Sequence, residues 1–119
     1  MYTISKRIEV AGSHRLDLSY DSPCQNIHGH NWICTIEVQG KELDRNGMLI
    51  DFKHIKNVVN KLDHKHINDI VAPLNPTAEN IARWIREEVN KTIPQTINSP
   101  YVSKVTVQES EGNIACYIP

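Results

Sequence analysis

His28-Gly29-His30 sets two imidazoles two residues apart, so in an extended segment both project from the same side of the chain. A third imidazole stands in Ala11-Gly12-Ser13-His14, just past an alternating apolar segment. If the two segments pair as neighbouring strands, His14 ends beside the other two. Neutral imidazole suits zinc, and three protein ligands with one position left for water or substrate is the pattern of a catalytic zinc site. A lone His-Gly-His is equally at home in a solvated turn or a core. Cys24 adds a sharper rival, because with His14, His28 and His30 it would complete a closed, structural four-ligand site. Spacing leaves both readings open.

The other reactive side chains are dispersed. Cys24 lies in a polar loop, Ser22-Pro23-Cys24-Gln25-Asn26, whereas Cys34 and Cys116 fall in apolar strand patterns and read as small core residues. A free thiol near pKa ~8.5 is mostly protonated at neutral pH, so a base or nucleophile at Cys24 needs a cationic or histidine neighbour. Asp63-His64 pairs a carboxylate with an imidazole, which can hold the ring and move protons. The same residues also read as a charged helix end, where cations suit the dipole. Glu109 continues the apolar face of Val105 and Val107, so it points inward and needs partners. A planar edge with two N–H donors would engage both its oxygens; solvent or a backbone amide would also serve.

These groups must be positioned by elements whose hydrophobic period switches from two to 3.6 and back. Ile4, Ile8 and Val10 alternate on a strand ending near Ala11-Gly12, and residues 13 to 27 form a loop. His28, His30, Trp32, Cys34, Ile36 and Val38 share one strand face, closed by Gly40. After an Asn46-Gly47 turn, Asp51 caps a helix carrying Phe52, Ile55, Val58, Val59 and Leu62. Thr77 caps a second helix through Ile81, Trp84, Ile85 and Val89 that stops before Pro94. Val105, Val107 and Glu109 mark a third strand, and Glu111-Gly112-Asn113 turns into a fourth with Ile114, Cys116 and Ile118. The order ββααββ predicts an α+β fold, a four-stranded antiparallel sheet with two helices on one face. Its two sheet edges invite pairing between subunits.

The 119 residues fit one domain, 1–119, with 39% hydrophobic and 23% charged residues. A formal net charge of −1, with Lys and Arg scattered among acids, argues against a nucleic-acid partner. No apolar run approaches the roughly 20 residues of a membrane span, and the N-terminus lacks the apolar core of a signal peptide. Three cysteines without a secretion signal indicate reduced thiols in a cytoplasmic protein.

Taken in order, Ser13-His14-Arg15-Leu16, Cys24-x-x-x-His28-Gly29-His30, Gly47-Met48-Leu49-Ile50-Asp51-Phe52, Leu62-Asp63-His64, Pro76-Thr77-Ala78-Glu79-Asn80 and Val105-Thr106-Val107-Gln108-Glu109 resemble the 6-pyruvoyltetrahydropterin synthase family nearly end to end. The resemblance implies zinc on His14, His28 and His30. It makes Cys24 the proton-abstracting base, assisted by Asp63 and His64. Glu109 would anchor the pterin, Thr77 would be a second contact, and Glu79 would orient that loop. The family's tunnelling fold implies a homohexamer of two trimers with active sites between subunits, so Cys24 would face Asp63 and His64 of a neighbour. Gly12-Ser13 departs from the more usual Ala pair or Ala-Ser before the first ligand.

The three-residue gap between Cys24 and His28 is similar to that of the bacterial 6-carboxytetrahydropterin synthases. The implied substrate is 7,8-dihydroneopterin triphosphate, and the implied products are 6-carboxy-5,6,7,8-tetrahydropterin, acetaldehyde and triphosphate, in queuosine biosynthesis. Formation of 6-pyruvoyltetrahydropterin on the same residues, and a non-catalytic zinc- or pterin-binding module, are the alternatives.

Overall fold

The computed structural model describes residues 1 to 119. Strand β1, Tyr2–His14, pairs antiparallel with β2, His28–Gly40, along their full length, from Tyr2 opposite Gly40 to His14 opposite His28. Strand β4, Tyr101–Ser110, adds to the far side of β2, and β5, Asn113–Tyr117, adds to β4 through the turn at Gly112. Gly112 has φ 80°, a conformation that costs a residue without a Cβ nothing.

The α+β arrangement is as expected, but the sheet has five strands. A two-residue strand β3, Lys65–His66, runs parallel to Gly12 and Ser13 of β1, giving the order β3-β1-β2-β4-β5. Two residues carry no readable alternation, so a strand this short is formed by its neighbour. Strand β1 also runs past Gly12 to His14, because the ladder to β2 continues there. The loop therefore begins two residues later than the pattern predicts.

Alternation places Val10, Trp32, Cys34, Ile36, Val38, Val105 and Val107 on one buried face, and the register shift opposite Glu37 and Val38 brings Val102 onto it as well. Helices α1, Phe52–Val59, and α3, Ala78–Lys91, cover it with Ile55, Val58, Val59, Ile81, Ile85 and Val89. Both caps form as read: Asp51 Oδ1 accepts from the Lys53 N–H at 2.9 Å and Thr77 Oγ1 from the Asn80 N–H at 3.1 Å. The stripe ending at Leu62 is carried past α1 by a 3₁₀ turn, Asn60–Leu62. A short helix α2, Ile67–Val71, follows β3 and buries Ile67 and Val71.

Gly12 has a packing reason. A Cβ there would stand 2.9 Å from Ile67 Cδ1 and 3.3 Å from the Leu62 carbonyl oxygen, so β1 lies close against the segment leading into α2. Cys34 is buried as expected, but Cys116 is exposed. It shares the outer face of the edge strand β5 with exposed Ile114, and Ile118, just past the strand's end, is exposed too. No helix is long and apolar enough to cross a membrane.

Candidate metal centre and active site

The β1–β2 register sets His14 opposite His28, with His30 opposite Gly12. The three imidazoles converge, one ligand nitrogen from each lying within 4.8 Å of the others. His14 Nδ1–H donates to the Pro76 carbonyl at 2.8 Å, and His28 Nδ1–H donates to the Asn26 carbonyl at 2.7 Å. A neutral ring that donates at Nδ1 carries a lone pair at Nε2. The two Nε2 atoms, 3.0 Å apart, thus aim lone pairs into the same space. His30 Nε2 is buried there without a hydrogen-bond partner. Two lone pairs and a third, partnerless ring nitrogen converging on one point form a donor set that suits a divalent cation.

Electrostatics agree. Burial is the main cause lowering the pKa of His14, and His28 and His30 add to it; the Pro76 carbonyl and Glu109 oppose it. The neutral, ligating form is favoured. Trp32 supports the rings edge-on, its centroid 4.8 Å from that of His14 and 5.2 Å from that of His30. Its own Nε1–H donates to the Gly12 carbonyl at 3.1 Å.

Glu109 approaches two of the three rings. A register shift between Gln108 and Ser110 leaves it unpaired on β4, and a bulge of this kind re-aims a side chain. Its Oε1 lies 3.4 Å from His14 Nε2 and 3.6 Å from His30 Nε2. The residue also lines a cavity of about 490 Å³ with Ala78, Glu79, Asn113 and Cys116. Thr77 stands at the start of the helix bordering this cavity, its oxygen engaged as the cap. The hydroxyl hydrogen is still a donor.

Cys24 sits in a 3₁₀ turn, Pro23–Gln25, with its N–H on Ser22 Oγ at 3.2 Å and its carbonyl accepting from the Leu16 N–H at 2.8 Å. Its sulfur is not among the converging ligand atoms, so the closed set of Cys24 with three histidines does not form in this chain. The loop holding it is braced by side-chain amides. Asn68 accepts from the Arg15 N–H and donates to the Arg15 carbonyl, and Asn75 does the same for Asp17.

Asp63 and His64 form the expected pair, Oδ2 to Nδ1 at 3.1 Å. Asp63 Oδ1 accepts from the Ala11 N–H at 3.0 Å, and the His64 N–H donates to the Ala11 carbonyl at 2.6 Å. The Ala11 N–H, and then His64, hold the Asp63 carboxyl below its ordinary pKa. His64 takes φ 56° and its side chain is 82% exposed. It lines an open cavity of about 510 Å³ with Ser13, His30, Asn31, Lys65 and His66. No hydrogen bond joins this pair to Cys24 within one chain.

A sequence model described as 6-pyruvoyl tetrahydropterin synthase matches residues 3–119. The chain belongs to that family. The 6-carboxy-5,6,7,8-tetrahydropterin synthase of Bacillus subtilis is 27% identical, over 99% of this chain and 86% of its own. A Pyrococcus furiosus protein named dihydroneopterin monophosphate aldolase is 38% identical over 59% of this chain and 61% of its own. The 6-pyruvoyl tetrahydropterin synthase structure from Caenorhabditis elegans superposes with a TM-score of 0.77 at 24% identity, covering 99% of this chain and 95% of that one; the likeness is one of fold.

Membership places the chain among pterin-processing enzymes of lyase type, with three histidines that can hold a metal ion. Motif reading missed the groups that orient those histidines. Pro76, Asn26 and Trp32 act through two backbone carbonyls and one ring edge. Only Trp32 left a trace, being in phase with His28 and His30 on β2. The Ser13–His66 contact, Oγ to Nδ1 at 3.0 Å, was likewise invisible, since it depends on β3.

Proposed function

We propose that this chain converts 7,8-dihydroneopterin triphosphate to 6-carboxy-5,6,7,8-tetrahydropterin with release of acetaldehyde and triphosphate, as a zinc-dependent cytoplasmic enzyme of queuosine biosynthesis. The observation that carries the reading is the convergence of His14, His28 and His30 beside the inward carboxylate of Glu109, in a chain matched along 99% of its length by a 6-carboxy-5,6,7,8-tetrahydropterin synthase.

In this reading His14, His28 and His30 hold the zinc. When bound, zinc supplies Lewis acidity that stabilises negative charge developing on the substrate's side-chain oxygens. Glu109 accepts two hydrogen bonds from the amino-pyrimidinone edge of the pterin, a bidentate match for a carboxylate. Thr77 adds a donor at the start of α3, and Glu79 helps to shape the cavity. Cys24 as thiolate takes the proton from the substrate side chain, and Asp63 with His64 moves protons to and from the reacting oxygens. That pair makes no hydrogen bond with Cys24 within one chain, and the reading adopts the assembly that the family resemblance implies, a homohexamer of two trimers. A neighbouring copy then presents Asp63 and His64 to Cys24.

The test is to incubate the zinc-loaded protein with 7,8-dihydroneopterin triphosphate and identify the products by mass. Carboxy-tetrahydropterin together with acetaldehyde is the expected result. A pyruvoyl product would replace this reaction by the synthase for which the family is named, and no turnover with zinc bound would leave a pterin-binding module.

A further inference from the structure

We propose that Asn68 and Asn75 are positioning residues for Cys24, a two-point amide clamp that sets where its thiol stands relative to the metal histidines. The clamp itself stands on hydrogen bonds; its consequence for turnover rests on the reading of Cys24 as the base.

Strand β1 ends at His14, the last residue paired with β2, and residues 15 to 17 leave the sheet beyond it. In an extended strand the N–H and C=O of one residue point to the same side, and those of the next residue to the other. Residues 15 to 17 are bonded in that alternation. Asn68 accepts from the Arg15 N–H at 3.0 Å and donates to the Arg15 carbonyl at 2.9 Å. Asn75 accepts from the Asp17 N–H at 2.9 Å and donates to the Asp17 carbonyl at 3.1 Å. Between them, the Leu16 N–H donates to the Cys24 carbonyl at 2.8 Å. Each carboxamide thus stands in for one residue of a missing neighbouring strand, since it offers the same C=O and N–H pair.

The other hydrogen bonds of this loop close within it. Arg15 Nε donates to the Gln25 carbonyl at 3.2 Å, Gln25 Nε2 to the Leu18 carbonyl at 3.0 Å, and the Cys24 N–H to Ser22 Oγ at 3.2 Å. They make residues 15 to 25 one unit, and the two amides tie that unit to the helical layer. Asn68 belongs to α2, and Asn75 immediately precedes Pro76, whose carbonyl orients His14. The Asn75 carbonyl is itself held, accepting from Asn80 Nδ2 at 2.9 Å and from the Thr77 N–H at 2.8 Å. One short segment therefore fixes a metal ligand through Pro76 and the thiol loop through Asn75. A base must stand within hydrogen-bond reach of the proton it takes, and a misplacement of about 1 Å can cost about 10²-fold in rate. Neither amide bonds to the thiol; both act on it through residues 15 to 17 and the Cys24 carbonyl.

The test compares zinc-loaded wild type, Asn68→Ala, Asn75→Ala and the double variant. It reads alkylation by iodoacetamide, resolved by cysteine through peptide mass, and turnover of 7,8-dihydroneopterin triphosphate. Expected is severalfold faster alkylation of Cys24 with Cys116 at its wild-type rate, and in the double variant a kcat lower by about 10²-fold at unchanged KM and zinc content. Asn75→Asp, which keeps the acceptor for the Asp17 N–H and loses the donor, should fall between wild type and Asn75→Ala. Should the double variant fail to fold, the single variants, each retaining one amide, carry the same comparison. Lower stability with Cys24 alkylation and kcat at wild-type values would leave the amides a structural brace and overturn the proposal. Faster Cys24 alkylation in the variants of a protein that forms no carboxy-tetrahydropterin even as wild type would keep the clamp and dismiss the reaction. Carboxy-tetrahydropterin formed equally fast by wild type and double variant, with alkylation unchanged, would keep the reaction and dismiss the clamp.

Discussion

The imidazole of His14 donates its Nδ1–H to the carbonyl oxygen of Pro76 at 2.8 Å, across 62 residues of sequence. That bond joins the end of β1 to the segment preceding α3 and fixes which nitrogen of His14 faces the metal position. His14 is fully buried, so removing it strands the Pro76 carbonyl as well as one ligand. His14→Ala should lose bound metal and, compared as metal-free proteins, unfold with about 1–3 kcal/mol less stability. Metal analysis and urea denaturation check both.

Cys24 lies outside the converging ligands, so its substitution separates base from ligand. Cys24→Ala should retain metal while turnover falls by about 10²–10⁴-fold, the range for loss of a general base. Loss of metal, or turnover left as it was, would count against that role.

The depressed pKa of Asp63 makes a pH prediction of definite sign. A carboxyl that ionises more readily folded than unfolded stabilises the protein above its unfolded pKa of about 3.9. That contribution is lost as pH falls through the lower, folded value. Asp63→Asn keeps an acceptor for the Ala11 N–H but cannot titrate. The stability gap between wild type and variant should be widest above about pH 5 and close on acidification, followed by denaturant midpoints across that range.

Burial pushes the Cys34 thiol up to about 12, where almost no thiolate exists at neutral pH. A thiol-specific reagent at pH 8 should spare Cys34 in the folded protein and label it only after denaturant is added. Peptide mapping by mass identifies the labelled site.

Gly12→Ala would press a methyl to 2.9 Å from Ile67 Cδ1 and should destabilise by about 1–3 kcal/mol. Ile67→Val deletes that Cδ1, so the double variant should recover part of the loss. Additive effects in thermal or urea unfolding would show that the two positions do not meet.

Local rules made much of the protein legible. Alternation gave the faces of β1, β2 and β4, and the caps at Asp51 and Thr77 marked both long helices, because each signal lies within a few residues of the element it describes. His28 and His30 were readable as a pair for the same reason. By itself, then, the sequence determined the α+β plan, the three candidate ligands and the family motifs. Contacts between distant segments settled what remained. Strand β3 exists because Gly12 and Ser13 offer it a ladder, Asn68 and Asn75 brace the Cys24 loop from more than 50 residues away, and Pro76 selects the tautomer of His14. The bulge that turns Glu109 to the histidines belongs to this second group. A hydrogen bond between remote backbone groups leaves no periodicity in either partner, so only the folded chain could place it.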